Sequence, residues 1–243
     1  MNVMNTCDLP VRPRLEMNVL VAFFHRSLRH AACALAVLAL SAGVALAGSL
    51  DTLESFLKAT KSGRADFTQV VTPPAKAGQV VRGKTSTGTF AFVRPSRFRF
   101  DYQKPFPMVI VADGQTLWLY DADLEQVTAR KQAQTLGSTP AALVATAADL
   151  GALQKDFILT AEPDAESLQW VQATPKARDS ALQSVRIGLR LEGGFATLAK
   201  LDILDALGQR SVLSFERFDV NPSSLGPAAF NFVPPKGVDV VRP

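Results

Sequence analysis

Arg97-Phe98-Arg99-Phe100-Asp101-Tyr102 alternates a charged side chain with an aromatic one along its whole length. A period of two belongs to extended chain, whose successive side chains point to opposite faces. Phe98, Phe100 and Tyr102 are therefore expected on one face of a strand and the charges on the other. Working downstream, Asp113-Gly114 lies between the apolar runs Val109–Ala112 and Leu117–Tyr120, which is a hairpin signal. Leu124–Ala129 continues the meander. Upstream, Val80–Val93 reads as one or two strands, and Ala65–Val71 as a strand that stops at Pro73-Pro74.

The second half repeats the pattern. Phe157–Ala161, Leu168–Ala173, Ser184–Leu191, Thr197–Leu204 and Ser211–Val220 read as strands, with turns at Gly193-Gly194 and Leu207-Gly208-Gln209. Two helices interrupt. Leu50, Leu53, Phe56 and Leu57 recur at helical spacing, with Ser49 as N-cap and Gly63 as the stop. Thr139-Pro140 opens the other, a run from Ala141 to Leu153 so poor in charge that it is expected to lie on an apolar surface. Many short strands with few helices give a mainly β fold with some α. Its antiparallel sheet is expected to curl toward a barrel, with the helices over its apolar concave face. The alternation is equally that of a core filled by side chains and of a ligand cavity.

The N-terminus reads as an export signal. Arg26, Arg29 and His30 precede an apolar run from Ala31 to Leu46, which ends in Ala45-Leu46-Ala47. A basic region, a short apolar region and a small-x-small ending are the parts of a secretory signal peptide. The run is short and Ala-rich against the ~20 strongly apolar residues of a membrane span. Residues 1–47 are expected to be the signal peptide, with translation starting at Met1 or at a later Met such as Met17. Residues 48–243 are expected to form one domain.

Cleavage after Ala47 would remove Cys7, Cys33, His25 and His30, every cysteine and histidine in the chain. Nucleophiles that need an imidazole base, and zinc sites built from His and Cys, go with them. Carboxylate pairs survive, but Asp113 and Asp121 flank a hairpin, where turn chemistry accounts for them. Four arginines and two acids also leave, so the net charge falls from +4 to +2. With no nucleic-acid signature, nucleic acid is not an expected partner.

Short landmarks recur in a characteristic order. They are Phe67-Thr68-Gln69; Arg94-Pro95-Ser96-Arg97-Phe98-Arg99-Phe100 leading to Pro105; Asp113-Gly114-Gln115-Thr116-Leu117-Trp118-Leu119-Tyr120-Asp121; Gln126-Val127-Thr128; Thr139-Pro140; and Phe230-x-Phe232-x-Pro234-Pro235-x-Gly237-Val238-Asp239. In this the chain resembles the LolA family of periplasmic carriers of outer-membrane lipoproteins. Phe100 stands where the family often has Trp, and Ala122 where it often has Pro.

The resemblance implies an incomplete, half-open antiparallel β-barrel covered by a lid of short α-helices, over a cavity for acyl chains. It implies a monomer in the periplasm that is not an enzyme and uses no cofactor. The implied partners are acylated lipoproteins, the inner-membrane complex LolCDE that hands them over, and the outer-membrane receptor LolB. Arg94 matches an arginine that acts as a latch, bonding lid-helix carbonyls and holding the empty cavity shut, with partners expected here near Leu57 and near Val144 and Ala145. Pro95 biases Arg94 toward extended backbone. Without the resemblance, Arg94 reads as a solvated rim residue. Phe98 matches a position at the cavity mouth, and reads equally as a core aromatic. Phe100, Trp118, Leu53, Phe56 and Leu143 are the other expected cavity or mouth residues. A sensor of lipid or lipoprotein on the same half-barrel is the competing reading, though such proteins usually carry a further domain. LolB shares the fold, but would need a Cys where Gly48 stands.

Overall fold

The computed structural model describes residues 48–75, 81–135 and 147–242. The expected signal peptide lies outside them, as do Leu143, Val144 and Ala145. The strands are β1 (Ser62–Thr72), β2 (Lys84–Val93), β3 (Arg97–Lys104), β4 (Met108–Ala112), β5 (Thr116–Asp121), β6 (Gln126–Lys131), β7 (Phe157–Ala165), β8 (Leu168–Pro175), β9 (Leu182–Glu192), β10 (Phe195–Asp205), β11 (Arg210–Val220) and β12 (Asp239–Val241). They form one sheet in the order β12-β6-β5-β4-β3-β2-β1-β11-β10-β9-β8-β7. The pairings are antiparallel except that of β12 with β6. The sheet is open, since its end strands β12 and β7 are not neighbours. Two meanders meet where β1 pairs with both β2 and β11.

The alternation in β3 places its rings as expected. Phe98 and Phe100 are buried, while Arg99 holds Asp101 through Nε and Nη2 at 2.7 and 2.8 Å on the other face. Register carries the inward face across the sheet: Ala65 stands opposite Phe90, Phe90 opposite Phe100, and Phe100 opposite Ile110. The Phe90 ring stacks on Phe100 at 4.4 Å between centroids and meets Phe92 and Phe215 at 5.7 and 5.4 Å. A helix over 48–59, α1, adds Leu53, Phe56 and Leu57 to this core, each at most 1% exposed. Its other face is polar, with Lys58 paired to Glu54 one turn earlier.

Several boundaries differ from the sequence reading, for local reasons. Ser49 lies inside α1 rather than capping it, and the helix stops at 59, before Gly63. Gly63 belongs to β1 opposite Phe92, where a Cβ would come within 2.6 Å of the Phe92 ring. Leu124 and Glu125 belong to the β5–β6 turn, not to β6. Asp121 Oδ1 accepts the Asp123 and Leu124 amides at 3.0 Å, and Glu125 takes a φ of 49°. A single turn, α2 (Gln132–Thr135), follows β6.

The expected continuous helix from Ala141 to Leu153 is not formed, because residues 147–149 are non-helical. A separate helix, α3 (Leu150–Asp156), starts there, with Asp149 as N-cap accepting the Ala152 amide at 2.7 Å. An Asp side chain competes for backbone donors and so favours caps over helix interiors. Leu153 of α3 joins the core.

The outer face of the second meander carries a charge cluster. Arg210 grips Asp202 through Nε and Nη2 at 2.8 and 2.7 Å, and Arg186 reaches both Asp202 and Glu162. Burial works to raise the Asp202 carboxyl, but the bonds and charge of Arg210, then of Arg186, outweigh it and hold it below its ordinary value. The folded protein therefore binds this proton more weakly than the unfolded chain. The stabilisation is full above the unfolded carboxylate's pKa and is lost as pH falls through the lower folded value. Asp202→Asn is expected to cost ~1–3 kcal/mol at neutral pH and to remove part of the acid limb of stability. Urea midpoints measured from neutral to acid pH check this; a parallel shift at every pH would contradict it.

Candidate functional site

Arg94 follows β2 in the turn to β3 and sits between the end of α1 and the lead into α3. Its amide donates to Lys61 O at 2.8 Å, its Nε to Thr60 O at 2.8 Å and its Nη1 to Ala147 O at 2.6 Å. The guanidinium carbon lies 5.3 Å from the Phe56 ring centroid and 5.1 Å from that of Phe92. Arg94 thus ties the end of α1 to the lead into α3, over rings of the inner face. The acceptors on the α1 side have a reason to want a donor. The last carbonyls of a helix lack intrahelical partners and carry the negative end of its dipole. Thr60 lies just past α1 and is itself buried, so water does not serve its carbonyl freely. A guanidinium meets several carbonyls from one rigid plane, which an ammonium cannot do. Burial lowers the Arg94 pKa to about 10, so the group stays charged at neutral pH.

The turn that carries Arg94 is held from beneath. Gln132, 2% exposed, donates from Nε2 to Ser96 O at 2.6 Å and accepts the Gly114 amide at 2.9 Å. Arg97 Nε donates to Asp113 O at 3.0 Å. Asp113 Oδ1 in turn accepts the Gln115 and Thr116 amides, each at 2.8 Å. Two neighbouring hairpin turns are thereby fastened together, and Arg94 projects from a fixed base.

The expected site residues fall into three groups. Phe98, Phe100, Leu53 and Phe56 all belong to the buried inner-face core with Leu57, and Phe98 is 0% exposed. The α1-side carbonyls on Arg94 are those of Thr60 and Lys61, just beyond Leu57, whose side chain is in the core. Ala147 supplies the carbonyl on the other side, while Val144, Ala145 and Leu143 lie outside the described residues. Trp118 is a correction. It does not line the inner face; Leu117 and Leu119 do. Trp118 packs on the outer face against Phe232 at 5.6 Å, and its Nε1 donates to Asp113 Oδ2 at 2.9 Å. The reason is that the C-terminal segment covers that face. Leu225 and Phe230 bury themselves there with Val111, through a 3-10 turn at Pro227–Phe230.

The sequence reading missed Gln132 and Asn221. No local signal marks Gln132. Asn221-Pro222 is a turn signal, but one that says nothing of its distant partners.

The family profile described as outer membrane lipoprotein carrier protein LolA matches residues 58–233. The chain belongs to the LolA family. The LolA match takes in both meanders, Arg94 and the outer-face segment. The outer-membrane lipoprotein carrier protein of Albidiferax ferrireducens is 63% identical over 201 residues, 83% of this chain and 94% of that protein. The protein of the same name from Methylibium petroleiphilum is 48% identical over 207 residues, 85% and 96% of the two chains. Among solved structures, a LolA superfamily protein from Nitrosomonas europaea aligns with a TM-score of 0.46 at 13% identity, covering 76% of this chain and 97% of that one.

Proposed function

We propose that this chain is a periplasmic carrier of outer-membrane lipoproteins, with residues 1–47 removed on export. It accepts lipoproteins released from the inner membrane by the ATP-driven LolCDE complex and delivers them to the receptor LolB. It shields their acyl chains against the inner face of the sheet, and it does no covalent chemistry. The observation that carries this reading is the Arg94 bridge, which ties the end of α1 to the segment leading into α3 over an apolar face packed with rings.

The physical case rests on competition. Hiding a methylene from water is worth ~0.8 kcal/mol, so a single acyl chain costs on the order of 10 kcal/mol to expose. A carrier that only bound such chains would never let go. Here the rings that would meet an acyl chain meet one another instead: Phe90, Phe92, Phe98 and Phe100 are each at most 2% exposed. Loading must part them, and unloading restores their mutual contact and the Arg94 bonds. Self-packing thus offsets part of the cargo's binding energy.

The test is a titration of residues 48–243 with the dye bis-ANS, followed by a synthetic triacylated lipopeptide. Saturable dye binding that the lipopeptide displaces is expected, while the same peptide without acyl chains displaces nothing. Absence of displacement would mean that the inner face stays a filled core.

A further inference from the structure

We infer that Asn221 is a positioning residue for Arg94, acting by turning the two peptide planes whose carbonyls accept from Arg94; this rests on the reading of Arg94 as the latch. Asn221 follows β11 with a φ of 52°, in the left-handed region that Asn tolerates better than most residues. Its Oδ1 accepts the Lys61 amide at 2.7 Å and the Ser62 amide at 3.0 Å. Its Nδ2 donates to Ala59 O at 2.9 Å, and its own amide donates to Ser62 O at 3.0 Å.

The consequence follows from the trans peptide group, a rigid plane in which C=O and N–H point in opposite directions. The Lys61 N–H shares its plane with the Thr60 carbonyl. Drawing that N–H toward Asn221 aims the Thr60 carbonyl away from it, where Arg94 Nε meets it. The Ser62 N–H shares its plane with the Lys61 carbonyl, which the Arg94 amide meets in the same way. The carboxamide oxygen of Asn221 therefore holds the N–H side of both planes, and Arg94 takes the carbonyl side of both. Ala59 O and Ser62 O, on either side of this pair, go to Asn221 as well. The junction from α1 to β1 is clamped between Asn221, just past β11, and Arg94, just past β2. Arg94 thus finds its α1-side acceptors already aimed, and an arginine that need not organise its acceptors closes more readily on Ala147.

Two variants separate this role from a structural one. Asn221→Gly keeps the backbone geometry, because glycine adopts positive φ freely, and deletes the side chain. Asn221→Asp keeps the oxygen that accepts the Lys61 and Ser62 amides, and sets a second carboxylate oxygen against Ala59 O in place of the donor. With bis-ANS as probe, a weaker closed state shows as tighter apparent binding. Asn221→Gly is expected to tighten dye binding about fivefold and to slow transfer of a triacylated lipoprotein to LolB, while Asn221→Asp, which keeps the bonds to both amides, shifts both readouts less. Arg94→Leu with Asn221→Gly should behave as Arg94→Leu alone, since the two act in one chain of contacts. Additive effects, or an Asn221→Asp variant as defective as Arg94→Leu, would overturn the inference, and the Asp variant alone suffices for this if the Gly variant does not fold. If Arg94→Leu shifts both readouts and Asn221→Gly shifts neither, the positioning role fails and the latch stands. If Arg94→Leu itself shifts neither, it is the latch that fails.

Discussion

Arg94→Leu is expected to fold, to load and to fail at unloading. The substitution removes side-chain bonds to Thr60 O and Ala147 O while leaving an apolar stem over the Phe56 and Phe92 rings. Hydrogen bonds to a charged group contribute ~1.5–3 kcal/mol each, so the closed state should weaken by about 3 kcal/mol, roughly a hundredfold in the closed-to-open ratio. Cargo then meets less competition from self-packing. Loading from LolCDE proteoliposomes should reach the wild-type level, while transfer to LolB falls by at least an order of magnitude. Transfer at the wild-type rate would remove Arg94 from the mechanism. Arg94→Lys should resemble Leu more than Arg, because an ammonium on a flexible stem does not present the planar fork. With a pKa of about 10, Arg94 keeps its charge throughout the neutral range, so delivery should not vary with pH there through this group.

Phe90→Ala is expected to be the most damaging single change in the core. Its ring meets those of Phe92, Phe100 and Phe215, and it is 1% exposed. Truncating a buried Phe typically costs 3–5 kcal/mol, part transfer and part cavity, so a loss of about 4 kcal/mol is expected by urea unfolding. The inner face should at the same time become more receptive, since fewer ring contacts have to be broken to admit an acyl chain. Tighter bis-ANS binding in a still-folded Phe90→Ala protein would report that. A loss below about 1 kcal/mol would mean that these rings are not closely packed in solution.

What could be read from the residues depended on how local the cause was. The rings of β3 declared their face because charges occupied the alternate positions. In β5 both faces are apolar, Leu117 and Leu119 on one and Trp118 and Tyr120 on the other, since the chain's own C-terminal segment covers the second. A period of two gives two faces without saying which one looks inward, and that is where Trp118 went astray. The Ala-rich run before Leu153 looked like one helix because composition conceals a cap in its middle. The capping bond of Asp149 shows only once backbone direction is known. Arg94 is legible through the family resemblance alone, since Pro95 speaks only of its backbone. Asn221 is not, because what it holds lies some 160 positions earlier in the chain.

The place of β1 in the sheet also bears on how the molecule is made. It stands between β2 and β11. One of these neighbours follows it within a short stretch of chain, while the other is the last long strand to be synthesised. A chain emerging N-terminus first would complete the meander from β1 to β6 with one side of β1 still bare. Bare strand edges invite pairing with other chains, and contacts between distant segments form slowly. The newly exported protein should therefore be most prone to aggregate in the interval before β11 arrives, and changes in β11 should lower the yield of folded protein more than equal losses of stability in β5.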